Sequence, residues 1–248
     1  MTDAIESEPL WKPNSATVGD TRMAQLMQAT GHGSYADLWQ WSVDQPEDFW
    51  STLWDFCGAV GEKGTKILVD RDKMPSARWF PEARLNYAEN LLQRRDDGEA
   101  LVFWGEDRVR RRMSRVELYA EVARFQRFLI AAGVGTGDRV AGYLPNLPET
   151  LVAMLAATSL GAIWSSASPD FGVQGVLDRF GQIEPKVLVC VDGYWYNGKP
   201  VDCLAKNAEV VAQMMSLLKI VVVPYLNAAP ALGRIANAVG WNDIAATI

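Results

Sequence analysis

"KVLVCVDGYWYNGKP", residues 186–200, decides the fold. In this stretch Val187 to Val191 are apolar with no alternation, and Asp192-Gly193 closes the run. A strand that is apolar on both sides is covered on both faces, the habit of parallel sheets packed between helices. "KIVVV" (219–223) repeats the pattern after a helical stretch over 202–218. Toward the amino terminus lie a helical pattern over 172–183, a short strand over 162–165, a helix over 148–160 opened by Pro148, and the strand "DRVAGYL" (138–144). Strands alternating with helices predict a mainly parallel, doubly wound α/β sheet. With "ALVFW" (100–104) as its first strand, followed by "RVRRRM" (108–113) as an exposed hairpin arm, the sheet is expected to hold five strands across residues 99–223.

Sheets of this kind bind ligands beyond the carboxyl ends of their strands. Two loops fall there. In "SLGAIWSSASPDFG" (159–172) a short strand runs through small polar residues, a proline and an aspartate into the next helix. "DGYWYNGKP" (192–200) follows the strand at 186–191, so the two loops are expected to meet. Ser114-Arg115-Val116-Glu117 is a capping box opening a helix that runs to about Ala132 and stops at Gly133. The glycines of "GVGTGD" (133–138) follow a helix and precede a strand, the reverse of a dinucleotide-binding fingerprint. They are read as a helix end and a turn, which disfavours an oxidoreductase. "NGKP" is no phosphate loop either, because Pro200 follows Lys199; it reads as a hairpin carrying one lysine.

Residues 1–98 read as a helical and irregular segment, and 99–248 as the α/β part. Seven of the ten tryptophans lie between Trp11 and Trp104. Ser34 is a helix cap, and Pro46 followed by Glu47 and Asp48 is a helix start, since proline lacks an N–H that would be orphaned there and the acids suit the dipole. Phe49, Trp50, Leu53, Trp54 and Cys57 recur at helical spacing, so this stripe is expected to be core or interface. Cys57, Cys190 and Cys203 are odd in number and far apart, each in an apolar stretch, and read as buried thiols of a reducing compartment. The single histidine, His32, is read as a turn residue; a histidine-rich metal site is excluded and a Ser-His-Asp triad disfavoured. A net charge of −6 opposes a nucleic-acid partner. The start "MTDAIESEPLWKPN" has neither the basic end nor the apolar core of a signal peptide, and no run of about 18 apolar residues occurs, so a cytoplasmic protein without a membrane partner is expected.

"WSVDQPEDFWSTLWDF" (41–56), "RWFPEARLNYAENLL" (78–92), "GDRVAGYLPNLPETLVAMLAATSLGAIWSSASPDFG" (137–172) and "DGYWYNGKP" together resemble the amino-terminal part of the adenylate-forming acyl-CoA synthetases. The resemblance covers the chain from about Leu10. "LNYAENLL" and "SASPDFG" favour the acetoacetate-type branch of that superfamily over the acetyl- or propionyl-CoA type, which remains the alternative beside a non-catalytic nucleotide-binding or interaction module. The resemblance implies a large-domain part of an enzyme that turns acetoacetate, ATP and coenzyme A into acetoacetyl-CoA, AMP and pyrophosphate, with Mg²⁺. It also implies that the phosphate-holding loop and the catalytic lysine lie further on. On that reading these residues hold no catalytic group and no metal ligand, bind no cofactor tightly, and are inactive alone. They would expose surface meant for a carboxy-terminal part and self-associate. Ser168, Pro169, Asp170 and Phe171 match the loop that approaches the CoA nucleotide, although it is glycine-rich in acetyl-CoA synthetases. Tyr196 and Lys199 match two arginines that bind CoA phosphates there. Lys199 keeps the charge without the bidentate fork.

Overall fold

A computed structural model describes residues 9–106 and 108–247. The chain forms two compact units, one ending at Arg84 and the other starting at Leu85, so the division falls ahead of residue 99, where the strand pattern begins.

The first unit contains α1 (Ser15–Gly19), α2 (Arg22–Thr30), α3 (Tyr35–Asp44), α4 (Pro46–Cys57) and a two-stranded antiparallel ribbon of β1 (Leu68–Val69) and β2 (Arg78–Trp79). Ser34 caps α3 by accepting from the Asp37 N–H at 3.1 Å, and Pro46 is the first residue of α4. His32 follows the left-handed Gly31 that ends α2, and its ring lies 4.9 Å from that of Trp41. The aromatic stripe of α4 closes less surface than its periodicity suggests. Trp50 is 41% exposed, and Cys57 is exposed rather than buried. Four short helices of this size bury little apolar area. Ring-edge contacts hold the unit instead: Trp41 to Phe49 at 5.3 Å, Phe49 to Trp50 at 5.4 Å, and Trp50 to Trp79 at 5.6 Å.

The second unit opens with α5 (Tyr87–Leu91), then β3 (Glu99–Gly105) and β4 (Val109–Ser114). Here the structure corrects the sequence. β3 does not join the parallel sheet; it pairs only with β4, antiparallel. Its residues alternate between partly buried and exposed, so one face meets solvent, which suits a hairpin and not a central parallel strand. The capping box at Ser114 is formed and starts α6 (Arg115–Ala131). Then follow β5 (Arg139–Tyr143), α7 (Pro148–Ser159), β6 (Ile163–Ala167), α8 (Val173–Phe180), β7 (Val187–Val191), the antiparallel pair β8 (Gly193–Tyr196) and β9 (Lys199–Asp202), α9 (Leu204–Gln213), β10 (Lys219–Val223) and β11 (Ala238–Gly240). The five-stranded sheet has the order β11-β10-β7-β5-β6, all parallel, so its fifth member is Ala238–Gly240. The helices expected over 172–183 and 202–218 are shorter. α8 stops at Phe180 ahead of Pro185, and α9 stops at Gln213 because the chain must turn back to enter β10, where the Leu218 N–H bonds the Lys186 carbonyl at 2.8 Å.

The alternation of side chains along the strands builds two cores. Val140, Val187, Val189, Val191, Val221 and Val223 face α6 and α7 on one side. Ala141, Tyr143, Leu188, Cys190, Ile220 and Val222 face α8 and α9 on the other. Both sets are buried, which explains why β7 and β10 read as unbroken apolar runs. The glycines of "GVGTGD" end α6 and turn into β5, with Gly133 at φ 76° and Gly137 at φ 81°.

Candidate functional site

In the sheet, β5 lies between β6 and β7, and the order reverses there: one connection runs outward to β6 and the next returns to β7. Such a switch point is where sheets of this kind bind ligands, at the carboxyl ends of the strands. Three segments leave strand ends there: residues 168–172 after β6, the β8–β9 hairpin after β7, and residues 224–227 after β10.

The loop after β6 is held from below. Tyr143, 1% exposed at the end of β5, donates its hydroxyl to the Phe171 carbonyl and reaches the Pro169 carbonyl at 3.5 Å. Lys206, in the first turn of α9, bonds the Pro169 carbonyl and lies 3.4 Å from that of Phe171. Its ammonium also sits 5.3 Å from the centre of the Tyr143 ring, so one cation serves two carbonyls and a ring face. Burial pushes the Tyr143 phenol up to about 12, which keeps it a donor. Cys203, in the same neighbourhood, is raised to about 11 by burial against the opposing pull of Lys206.

The two loops meet, as the sequence predicts. Tyr194 of β8 donates its hydroxyl to Asp170 Oδ1 at 2.6 Å, and Ser168 Oγ donates to Asp170 Oδ2 at 2.9 Å. These bonds, Tyr194 first and Ser168 next, hold the Asp170 carboxyl below the usual carboxylate range, with a smaller push from Lys206. Asp170 is therefore no helix cap. The N-cap of α8 is Gly172, which has no side chain to offer, and Asp170 instead ties the loop to the hairpin. Phe171 is 38% exposed, with the Arg179 guanidinium 4.0 Å from its ring centre. Arg179 is a cation at this edge that sequence spacing alone did not single out.

The hairpin places the other two expected residues. Asn197 and Gly198 have φ of 49° and 73°, the left-handed pair a two-residue hairpin turn requires. Tyr196 pairs across the ladder with Lys199, and Tyr194 with Val201. Directly opposed residues share a face, and residues two apart share it as well. Tyr194, Tyr196 and Lys199 therefore lie on one face, the face that meets Asp170 through Tyr194. Lys199 and Tyr196 are both exposed at its outer end. At the base, a side chain on Gly193 would strike Leu226 and would stand 2.5 Å from the Val201 carbonyl oxygen, so only glycine lets the hairpin fold back this closely.

Asp192, at the end of β7, was legible only as a strand terminator. It is fully buried, and its carboxylate accepts the N–H groups of Tyr225, Leu226 and Asn227 at 2.7, 3.0 and 2.7 Å. It fixes the third segment of the rim. The described residues contain no cluster of three or more His, Cys, Asp or Glu arranged to hold a metal ion, and no helix among them is long and apolar enough to cross a membrane.

A sequence profile described as "AMP-binding enzyme" matches residues 88–243. The chain belongs to the AMP-binding enzyme family. A second profile, described as "Acetyl-coenzyme A synthetase N-terminus", matches residues 35–91. The acetoacetyl-coenzyme A synthetase of Rhizobium meliloti (strain 1021) is 50% identical over 230 residues, covering 90% of this chain and 35% of the relative. The acetoacetyl-CoA synthetase of Xenopus tropicalis is 41% identical over 237 residues, again 35% of its length. Among solved structures, acetoacetyl-CoA synthetase from Streptomyces lividans superposes with a TM-score of 0.85 at 37% identity, covering 97% of this chain and 38% of that one. The chain thus spans little more than a third of these AMP-binding relatives.

Removing the Tyr194 hydroxyl should free Asp170. In Tyr194→Phe, the Asp170 carboxyl is expected to titrate nearer its ordinary value of 3.8, measured by carboxyl NMR. A depressed carboxyl contributes stability that is present above the unfolded pKa and lost as pH falls through the lower folded one. The variant should therefore lose less stability than the parent on acidification below about pH 4. An unchanged Asp170 titration would refute the assignment of its main partner.

Proposed function

We propose that this chain is the amino-terminal part of an acid–thiol ligase that activates acetoacetate with ATP and Mg²⁺ and transfers it to coenzyme A, and that the surface at the switch point is one wall of its CoA site. Ser168, Pro169, Asp170 and Phe171 form the loop side of that wall, and Tyr196 and Lys199 the hairpin side. The hydrogen bond from Tyr194 to Asp170 carries this reading, because it brings the two loops into one surface with Lys199 on the facing side. The relatives, acetoacetyl-CoA synthetases, support the choice of acid.

The chemistry assigned to these residues is binding, not bond-making. Lys199 supplies a positive charge for a nucleotide phosphate, Tyr196 a ring or hydroxyl, and Phe171 an apolar face beside Arg179. Asp170 is charged, and near a phosphate it would repel. Its two hydrogen bonds from Tyr194 and Ser168 occupy both carboxylate oxygens and spread that charge. On this reading the phosphate-holding loop and catalytic lysine of the family lie further on, together with most of the acid pocket. The protein is assigned to the cytoplasm.

The test is an assay of the full-length protein against acetoacetate, acetate and propionate with ATP, Mg²⁺ and CoA. Acetoacetate is expected to give the highest kcat/KM for thioester formation, with AMP and pyrophosphate released. Residues 1–248 alone are expected to show no acetoacetate-dependent ATP–pyrophosphate exchange, since electrostatic stabilisation of the transition state does not survive removal of its donors. A preference for acetate would move the enzyme to the other branch, and sustained exchange by residues 1–248 would place the catalytic groups within them.

A further inference from the structure

The tip of the β8–β9 hairpin is gripped by a hairpin remote in sequence. In a two-residue turn the ladder closes at Tyr196 and Lys199, and the N–H of the second turn residue has no partner within the hairpin. That residue is Gly198. Its N–H donates to Glu106 Oε2 at 2.9 Å, and its carbonyl accepts from Arg108 Nη2 at 3.2 Å. Both polar groups of one turn residue are therefore satisfied by side chains from the β3–β4 turn. The Arg108 guanidinium also lies 4.1 Å from the Trp195 ring centre. Trp195 pairs with Pro200, so Arg108 covers the face opposite to Tyr194, Tyr196 and Lys199. The β3–β4 turn is itself fixed from beneath: Phe103 and Tyr225 lie ring to ring at 6.1 Å, and Tyr225 is anchored through its N–H to Asp192.

An exposed hairpin of four-residue strands would move freely at its tip. Here the tip is held on one side by Arg108 and at its turn by Glu106, with Lys199 exposed on the opposite face. We infer that Glu106 and Arg108 are positioning residues that clamp the Asn197-Gly198 turn and so set Lys199 for the CoA phosphates. The inference rests on the CoA reading of Lys199 for its functional half; the clamp itself rests on the contacts to Gly198 and Trp195. Neither clamp residue touches the ligand in this account. Their effect is to lower the ordering cost that a mobile lysine would pay on binding.

The test uses the full-length protein with Arg108→Ala, Glu106→Ala, Glu106→Gln and Lys199→Ala. The two clamp-to-alanine variants are expected to raise the KM for CoA about two- to tenfold, less than the loss of a charge-assisted hydrogen bond to the ligand itself, because the clamp acts only through the position of Lys199. ATP–pyrophosphate exchange and kcat should stay near the parent. Glu106→Gln keeps an acceptor oxygen for the Gly198 N–H and should restore most of the affinity. Combined with Lys199→Ala, Arg108→Ala should add little, because the clamp acts through that lysine. Hydrogen exchange of the 195–200 segment should quicken in both alanine variants, a readout independent of CoA.

A lower KM in Glu106→Ala would show that the carboxylate acts by repulsion, and full additivity of Arg108→Ala with Lys199→Ala would show that Arg108 acts on its own; either overturns the positioning role. Unchanged hydrogen exchange overturns the clamp outright. If Lys199→Ala leaves the KM for CoA untouched, the CoA reading fails and takes the functional half of the inference with it. In that case, faster exchange in the alanine variants would still support the mechanical clamp.

Discussion

Lys199→Ala in the full-length protein raises the KM for CoA about five- to a hundredfold and leaves adenylation of the acid nearly unchanged, if the hairpin face is the phosphate wall. The magnitude follows from a hydrogen bond to a charged group at a partly solvated site, about 1–3 kcal/mol. The selectivity follows from position. Lys199 stands at the outer end of a hairpin whose base meets the 168–171 loop through Tyr194, beyond the carboxyl end of β7. Groups that adenylate the acid are assigned elsewhere, so losing the lysine should not reach them. Added salt should shrink the difference between parent and variant, because an exposed ammonium is screened over roughly 8–10 Å at physiological ionic strength. Lys199→Arg is the useful companion: it keeps the charge and adds a planar fork, so it should preserve or improve CoA affinity. Equal damage to adenylation and thiolation would make Lys199 a structural residue.

Asp192→Ala is expected to lower stability by about 2–4 kcal/mol, since it removes a buried anion that accepts three backbone N–H groups and an amide N–H₂. For a chain of this size that corresponds to a fall of roughly 4–16 °C in thermal midpoint. Asp192→Asn is the sharper probe. It fits the same space and keeps Oδ1 for the Tyr225 and Leu226 N–H groups, but its amide turns a donor toward the Asn227 N–H and side-chain amide, so it should recover only part of the loss. Because Asp192 holds Tyr225, and Tyr225 packs beneath the β3–β4 hairpin, local loosening should appear first in residues 224–227 and 103–108. A midpoint within about 1 °C of the parent would mean that water replaces the carboxylate at no cost, contrary to the burial of the site.

The parts of the fold that sequence exposed are those set by local chemistry. Ser34, Pro46, Ser114 and Pro148 each open a helix through a side chain or ring acting within one turn, and all four do so here. The runs at 186–191 and 219–223 announce burial on both faces, and both are central parallel strands. Errors arise where tertiary pairing decides. "ALVFW" does pair with the hairpin arm "RVRRRM", yet that pair stays outside the parallel sheet, which is completed by Ala238–Gly240, a three-residue segment with no strand signature of its own. Cys57 carries the period of a buried stripe but lies at the end of a helix that its small unit leaves open.

The candidate site divides in the same way. The meeting of the two loops follows from their place at the strand ends, and the Asn-Gly turn follows from its residues. The pairing of Tyr194 with Asp170 spans 24 residues, and that of Glu106 with Gly198 spans 92; neither leaves a trace in spacing. Asp192 looked like punctuation because an aspartate after a strand usually faces water. Only the fold shows that the chain after β10 returns to wrap its N–H groups around it.

The central claim is that the 168–171 loop and the Lys199 face of the hairpin form one wall of a CoA site, and the structure of the full-length protein with CoA bound tests it most directly. The account predicts a nucleotide phosphate oxygen within about 4 Å of Lys199 Nζ, the distance of an ion pair, with the nucleotide lying over Phe171 and the Tyr194–Asp170 bond intact. A CoA nucleotide bound elsewhere, with Lys199 in solvent and no phosphate within about a Debye length of it, would contradict the account.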